Sequence, residues 1–405
     1  MFRFWKEMDK SRRSLLLICY FAFFCNGSVA LIMGSVMPDL KAAYSLNDTL
    51  SGLFISAHSI GNMAAGFLSG LVPLYLGERR SIILLSGLAF LGLLMMLFFG
   101  DPVWLFIAFV LTGFGRGSVT SFNNRTVNRI TDGSPAASNL LHGAFAIGAI
   151  LTPVVFLFLS NAISWQAGVL AVVVCGSISL INFSRMKLEK EYPDRKDKTN
   201  STLRFLKNPS FLILAGMMFC YLCSEYSING WLVTYIQNKR ELVSAFGLDG
   251  EELTAAIRSY SQTMATLLWA IMLVGRLGCA WLSSRIHQKK LMLASSVGIA
   301  AFFIMMLNAS SIPAVTLSVA GLGLCMAGVC PMIYSDAAIF TNAYPMATSC
   351  LLGIGSVGAI LMPVIVGSLA DSLGFGGGMS AILVTVILLF VFALLNTVIR
   401  TRQPD

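Results

Sequence analysis

Residues 143–153 read GAFAIGAILTP, and residues 353–363 read GIGSVGAILMP. The two stretches agree at the glycines in their first and sixth positions, at the Ala-Ile-Leu triplet and at the closing proline. Each stretch lies within an apolar run that is long enough to form a membrane-crossing helix. A segment repeated in this way predicts that the chain consists of two halves of similar construction.

The composition indicates that lipid surrounds most of the chain. Hydrophobic residues make up 56% of the 405 residues and charged residues only 12%, whereas a soluble domain carries about 25% charged residues. Apolar segments recur at 14–38, 50–74, 81–99, 103–126, 137–160, 164–184, 211–236, 258–283, 290–308, 312–339, 346–371 and 378–399. We therefore predict an all-α fold of twelve transmembrane helices in two pseudo-symmetric six-helix bundles.

A polar, basic segment at mid-chain divides the apolar pattern. It predicts an N-terminal bundle at 1–184, a cytoplasmic linker at 185–210 and a C-terminal bundle at 211–405. With the N-terminus in the cytoplasm, 22 Lys and Arg residues fall on the cytoplasmic side and 4 on the outer side, as the positive-inside rule requires. We expect a multi-pass protein of the cell membrane (inner or plasma membrane) with both termini in the cytoplasm.

The basic excess and the cysteines do not indicate further partners. The net charge of +9 is concentrated in short loops, so membrane topology accounts for it and no nucleic acid is expected. The nine cysteines lie in or beside apolar runs, which is typical of packing residues and not of a metal site or a disulfide framework. The glycine pattern at 353–358 lies inside a predicted span, where it favours close helix packing over dinucleotide binding.

Two motifs resemble a known family. Span seven reads YLCSEYSINGWLVTY from Tyr221, with an acid followed by a tryptophan, and span five is the glycine-rich stretch that ends at Pro153. Together with the duplicated six-span plan, these motifs resemble the major facilitator superfamily, and within it the fucose permease branch of sugar–cation symporters. The resemblance covers nearly the whole chain, and it implies secondary active transport by alternating access around a central cavity.

The resemblance has two gaps. The loop between spans two and three usually carries an aspartate beside basic residues, but residues 70–80 read GLVPLYLGERR, with Arg79 and Arg80 and no aspartate. Fucose permease is similar in fold but has essential carboxylates in spans one and four, where this chain has Asn26 and Arg116. The resemblance therefore does not extend to those acids.

Glu225 is the main candidate for the chemistry, because a charge inside the bilayer costs about 2.5–3.5 kcal/mol. It lies near the middle of span seven, and Tyr221 and Asn229 share its helix face at four-residue spacing. A carboxylate at this depth can take up and release a proton during transport. The alternative is a salt bridge to Arg116 or Arg276 that only joins helices.

Arg116 lies in the middle of span four, and the resemblance places that span beside the central cavity. Its planar guanidinium suits an anionic solute, and it equally suits a structural pair with Glu225. Asn123 continues the same face, and Asn26 in span one is suited to a solute hydroxyl or to a neighbouring backbone group. All three are predicted to be solute-binding or coupling residues.

Other candidates have more limited roles. Gating is predicted for four charged residues near span ends, Arg276, Asp336, Arg79 and Arg80. Asp371 is expected to act in the same way, with Arg400 or Arg402 nearby. Tyr226 and Trp231 are predicted to stack on a sugar ring, with anchoring at the membrane interface as the alternative for Trp231.

The sequence thus predicts a carrier that is not an enzyme. We expect a monomer that transports a small polar solute, first of all a sugar, coupled to H+ or Na+ and without a metal or an organic cofactor. The alternatives are an organic-anion or efflux carrier and, in another class, a membrane receptor or sensor that transports nothing.

Overall fold

The helices begin where the sequence supplies a cap and a proline. The Asp101 carboxylate accepts a hydrogen bond from the Val103 amide at 2.9 Å, just before a helix that starts at Pro102. The Asn208 side chain accepts one from the Ser210 amide at 2.9 Å, before a helix that starts at Pro209. Because the first amides of a helix lack intrahelical partners, such side chains favour helix starts at these residues.

The computed structural model describes residues 8–131, 135–185, 203–282, 285–337, 339–340, 344 and 346–398. No strand occurs among these residues. The long helices are α1 (Lys10–Tyr44), α2 (Asp48–Leu71), α3 (Glu78–Phe98), α4 (Pro102–Ile130), α5 (Pro135–Ala162), α6 (Trp165–Arg185), α7 (Pro209–Gln237), α8 (Gly250–Leu282), α9 (Gln288–Asn308), α10 (Ile312–Met326), α11 (Met346–Ser380) and α12 (Ile382–Val398). Short helices occupy Pro73–Leu76, Arg240–Ala245 and Val329–Asp336, and a 3-10 turn occupies Leu203–Lys207.

The architecture is that of a polytopic all-α membrane protein, as predicted. Within the described residues, ten helical stretches are long and apolar enough to cross a membrane, and the last of them, Cys350–Val398, runs through both α11 and α12. Most of the linker predicted at 185–210, together with Arg3, Lys6, Arg400 and Arg402, lies outside the described residues.

The helices of the two halves pack in the same order. In the first half α1 packs on α4, α5 and α6, and α3 packs on α4 and α6. In the second half α7 packs on Val329–Asp336, α11 and α12, and α9 packs on α10 and α12. Each half therefore builds its core around its first helix.

The repeated glycines explain two of these contacts. A Cβ at Gly148 would lie 2.0 Å from the Phe24 carbonyl oxygen of α1, and one at Gly358 would lie 2.6 Å from the Phe219 carbonyl oxygen of α7. Both distances are far shorter than a Cβ tolerates. Only glycine lets α5 approach α1, and α11 approach α7, this closely.

The chain divides into two compact units. One comprises Met1–Leu46 and Ala57–Asp194, and the other comprises Asn47–Ser56 and Arg195–Asp405. The start of α2 therefore packs with the second unit, although the sequence placed it in the N-terminal bundle.

Asp371 holds the start of α2 in the second unit. Its carboxylate accepts hydrogen bonds from the Asp48 amide at 2.8 Å, the Thr49 amide at 2.7 Å and the Thr49 hydroxyl at 2.5 Å. A carboxylate on the first amides of a helix is a favourable cap. Arg400 and Arg402, the expected neighbours of Asp371, lie outside the described residues.

Lys239 follows the C-terminus of α7 and is only 8% exposed. Its ammonium donates to the Leu307 carbonyl at 2.7 Å and to the Tyr235 hydroxyl at 3.0 Å. Burial lowers the pKa of Lys239 below its usual 10.5, while the nearby Glu241 carboxylate acts in the opposite direction. The lysine thereby joins the end of α7 to the last turn of α9.

Candidate functional site

A polar face on α7 is the centre of the second unit's candidate site. Tyr221, Glu225 and Asn229 follow at four-residue spacing, so they lie on one side of the helix. Tyr221 is 1% exposed, whereas Glu225 and Asn229 are both partly exposed. The helix thus carries a hydroxyl, a carboxylate and an amide in a mostly apolar wall, as predicted from spacing.

Opposite charges meet around Tyr221. Its hydroxyl lies 3.1 Å from the Met326 carbonyl oxygen, to which it donates, and it is also within hydrogen-bonding reach of Glu225. The Glu225 carboxylate and the Arg276 guanidinium both act electrostatically on this hydroxyl and on the Cys330 thiol. Residues from α7, α8 and the segment after α10 therefore form one cluster with an acid, a base and a phenol.

Trp269 of α8 connects the two ends of this cluster. Its indole N–H donates to the Asn229 side-chain oxygen at 3.0 Å. The Arg276 guanidinium carbon lies 5.9 Å from the centre of the indole ring, in cation–π range. The Arg276 Nε atom is buried and has no hydrogen-bond partner among the described residues. Arg276 is thus part of the cluster around Glu225.

The aromatic candidates separate into two cases. Tyr226 is partly exposed and lies close enough to Tyr334 for the two phenols to interact electrostatically. Trp231 is 0% exposed, donates to the Pro363 carbonyl at 3.2 Å and packs on Phe375 with ring centres 5.6 Å apart. The placement does not support sugar stacking or interfacial anchoring by Trp231, because both ring faces are buried in the second unit.

A second polar set lies in the first unit around Arg116. Its guanidinium is 3.5 Å from the Asn62 side-chain oxygen and 5.8 Å from the centre of the Phe145 ring. His58 lies close enough to interact with it electrostatically. Helix α2 contributes Asn62 and His58 and α5 contributes Phe145, so the guanidinium on α4 faces an amide, an imidazole and a ring.

The predicted amide ligands of this unit are used within it. The Asn26 amide nitrogen donates to the Thr120 hydroxyl at 2.9 Å, and that hydroxyl donates to the Arg116 carbonyl at 3.1 Å. The Asn123 amide nitrogen donates to the Val119 carbonyl of its own helix at 2.8 Å. Both asparagines are 2% exposed. Asn123 thus bonds the backbone of its own helix, and the Asn26 amide nitrogen bonds a side chain and not the neighbouring backbone group given as its alternative.

The residues predicted for gating have different surroundings within their own units. Arg79 and Arg80 are exposed on the first turn of α3. The neighbouring Glu78 forms an ion pair with Arg129 at 3.1 Å, a contact that the sequence reasoning missed.

Asp336 contacts a side chain of the last helix. Its carboxylate accepts a hydrogen bond from the Asn396 amide of α12 at 2.8 Å. The buried Asn396, 4% exposed, gives Asp336 a neutral partner inside the second unit.

The fold and the charged side chains within its apolar helices together define a class: a polytopic all-α membrane protein with ionisable groups in its candidate membrane-spanning helices. The family model described as Major Facilitator Superfamily matches residues 16–337. The chain belongs to this family of membrane transporters.

Its relatives are distant and span most of its length. Membrane protein MosC of Rhizobium meliloti is 23% identical over 393 residues, which cover 95% of this chain and 91% of that protein. An uncharacterised MFS-type transporter of Yersinia pestis is 22% identical over 366 residues, which cover 88% of this chain and 90% of that protein. These similarities support transport without naming a solute.

Solved structures confirm the fold. A bacterial homologue of the human lysosomal transporter Spinster, in an inward-facing and occupied conformation, matches with a TM-score of 0.75 and 14% identity over 98% of both chains. A mutant of the nucleoside transporter NupG matches with a TM-score of 0.76 and 15% identity, over 96% of this chain and 99% of that chain. At these identities the likeness concerns architecture alone.

Proposed function

We propose that this protein is a secondary active transporter that moves a small polar solute by alternating access, coupled to H+ or Na+ through Glu225. The observation that carries the proposal is the cluster in the second unit, where Glu225, Tyr221 and Arg276 lie together inside membrane-spanning helices. We place the protein in the cell membrane with both termini in the cytoplasm.

The chemistry follows from the position of the carboxylate. A charged group at this depth is costly unless a partner or water compensates it. Protonation of Glu225 removes one negative charge beside Arg276 and Tyr221, so it changes the balance of charge that the guanidinium experiences. A solute that binds one protonation state better than the other is then coupled to the proton gradient. Replacement of the proton by Na+ would use the same carboxylate.

A sugar is the first solute to test. The resemblance of span seven to the fucose permease branch points to it, and the cluster offers neutral hydrogen-bonding groups on Asn229, Tyr226 and Tyr334. Hydroxyls of a sugar match such donors and acceptors. A thermal-shift screen with neutral sugars, sugar acids and nucleosides at two pH values identifies the class, because a bound solute stabilises the folded protein.

The test of coupling uses purified protein in liposomes with an imposed pH or Na+ gradient. We expect wild type to accumulate the solute, and Glu225→Gln to lose gradient-driven accumulation while retaining part of its solute exchange. The matched control is Glu252→Gln, an exposed acid in the first turn of α8. Wild-type accumulation by Glu225→Gln would rule out coupling through this residue.

An organic-anion or efflux carrier is the second candidate, and the surroundings of Arg116 favour it. The guanidinium lies with Asn62, Phe145 and His58, a set suited to an anionic group on a flat solute. Arg116→Ala should then abolish transport of sugar acids more than that of neutral sugars. Equal loss for both would contradict an anion carrier. Binding without flux in either direction would instead indicate a receptor.

A further inference from the structure

The first unit contains a small cavity between α1, α3, α4 and α6. Its polar lining consists of Cys25, Asn26, Ser86 and Ser179, and its apolar walls include Phe90 and Val119. Its size provides room for about one water molecule. The cavity is separate from the clusters around Arg116 and Glu225, although Asn26 joins its wall to α4.

Two polar atoms at this cavity lack partners within the described part of the chain. They are the side-chain oxygen of Asn26 and the hydroxyl of Ser86, and both residues are 2% exposed. Ser81, in the same helix as Ser86, donates to the Gly77 carbonyl at 2.8 Å. A buried polar atom without a partner costs about 1–3 kcal/mol, so native proteins rarely leave two at one place.

We propose that one water molecule binds in this cavity and bridges the Asn26 oxygen to the Ser86 hydroxyl. Water can donate to the first and either donate to or accept from the second, and buried waters typically make about three such bonds. A metal cation is a poorer occupant, because the lining offers neutral oxygens and a thiol and no carboxylate.

The water assigns a role to Asn26 that does not depend on the proposed function. The amide nitrogen of Asn26 donates to Thr120, whose hydroxyl bonds the Arg116 carbonyl. With the water bound, the Asn26 oxygen contacts Ser86 of α3 through the water, and the Asn26 nitrogen contacts Thr120 of α4 directly. Asn26 is then a positioning residue for the helix that carries Arg116, and not a solute ligand.

The first test uses the wild-type protein and short X-ray pulses, which generate hydroxyl radicals from bound water that oxidise adjacent side chains. Cys25 lines the cavity and is 2% exposed, while Cys19 lies in the same helix, is 0% exposed and lines no part of it. We expect Cys25 to be oxidised at least several-fold faster than Cys19. Equal rates, or a rate at Cys25 that changes on exchange of Na+ for K+, would overturn the water assignment.

The second test is the sign of a stability change. With water present, Ser86→Ala removes a bond and lowers Tm by about 2–4 °C, and Ser86→Val, which fills the cavity, lowers it further. In a dry cavity both changes remove a buried hydroxyl that has no hydrogen-bond partner, so both raise Tm. The control is Ser177→Ala in α6, whose hydroxyl bonds only the Val173 carbonyl of its own helix at 2.8 Å. A rise in Tm for either Ser86 variant above this control overturns the proposal.

Discussion

Gly148→Ala is expected to destabilise the protein because it inserts a methyl group where α5 meets α1. The new carbon would lie 2.0 Å from the Phe24 carbonyl oxygen, and part of the backbone would have to move. Overpacking of this kind costs about 1–3 kcal/mol or more. The higher helix propensity of alanine relative to glycine offsets about 1 kcal/mol of this cost.

Gly143 supplies a matched control five residues earlier in the same helix. No described atom lies within 4 Å of a Cβ built there, so Gly143→Ala should gain about 1 kcal/mol from helix propensity. Thermal unfolding in detergent or nanodiscs, followed by tryptophan fluorescence, measures the two variants side by side. Each kcal/mol corresponds to about 2–4 °C in Tm for a unit of this size.

The second repeat allows the same comparison. Gly358→Ala brings a carbon to 2.6 Å from the Phe219 carbonyl oxygen, and Gly353 has no described neighbour within 4 Å. We therefore expect Gly358→Ala to be destabilising but milder than Gly148→Ala. If Gly148→Ala were as stable as Gly143→Ala, the close approach of α5 to α1 would be refuted.

Three further predictions concern polar contacts outside the candidate site. Asp371→Ala removes the cap on Thr49 and should lower the free energy of unfolding by about 1 kcal/mol in a denaturant titration; an unchanged value would contradict the cap. Because burial lowers the pKa of Lys239, the folded state binds its proton less tightly than the unfolded state. Stability relative to Lys239→Met should therefore rise as pH increases through the lowered pKa towards the usual 10.5, and be lost as pH falls through the lowered pKa; Tm measured across that rise tests the sign. A double-mutant cycle on Glu78 and Arg129 should give a coupling of about 0.2–1 kcal/mol that weakens with salt, and no coupling would exclude a stabilising pair.

The transmembrane plan was predictable because lipid requires long apolar helices, and the predicted segments correspond to the helices to within a few residues at most ends. Larger differences occur at three ends: α10 ends at Met326 although the segment was predicted to run to 339, α11 ends at Ser380 and not at 371, and α8 begins at Gly250 although its apolar segment was predicted from residue 258. Its first two turns carry acids and lie outside an apolar window, yet they are helical. Gly374, with φ of 75°, likewise interrupts α11 at a point that hydropathy does not register.

The candidate site was predictable only in part. Glu225, Arg116 and Arg276 stood out because charge inside a bilayer is rare and costly. Their neighbours Trp269 and Asn62 could not be predicted from the sequence, because contacts between helices depend on the rotation of each helix about its axis. Spacing along one helix fixes which residues share a face, but it does not fix which helix that face meets.

The two halves share a framework but differ in chemistry. Gly148 lies over Phe24, and Gly358 lies over Phe219, so these phenylalanines occupy matching places. Two residues further on, Asn26 ties α1 to α4 and Tyr221 ties α7 to α10.

Four residues beyond each of these, the second half has Glu225 and the first half has Ala30. The two halves thus share the same joints, and only the second half carries an acid at this register. Under the proposed coupling through Glu225, substitutions in the first half can therefore change the solute preference and leave the ion-handling position intact.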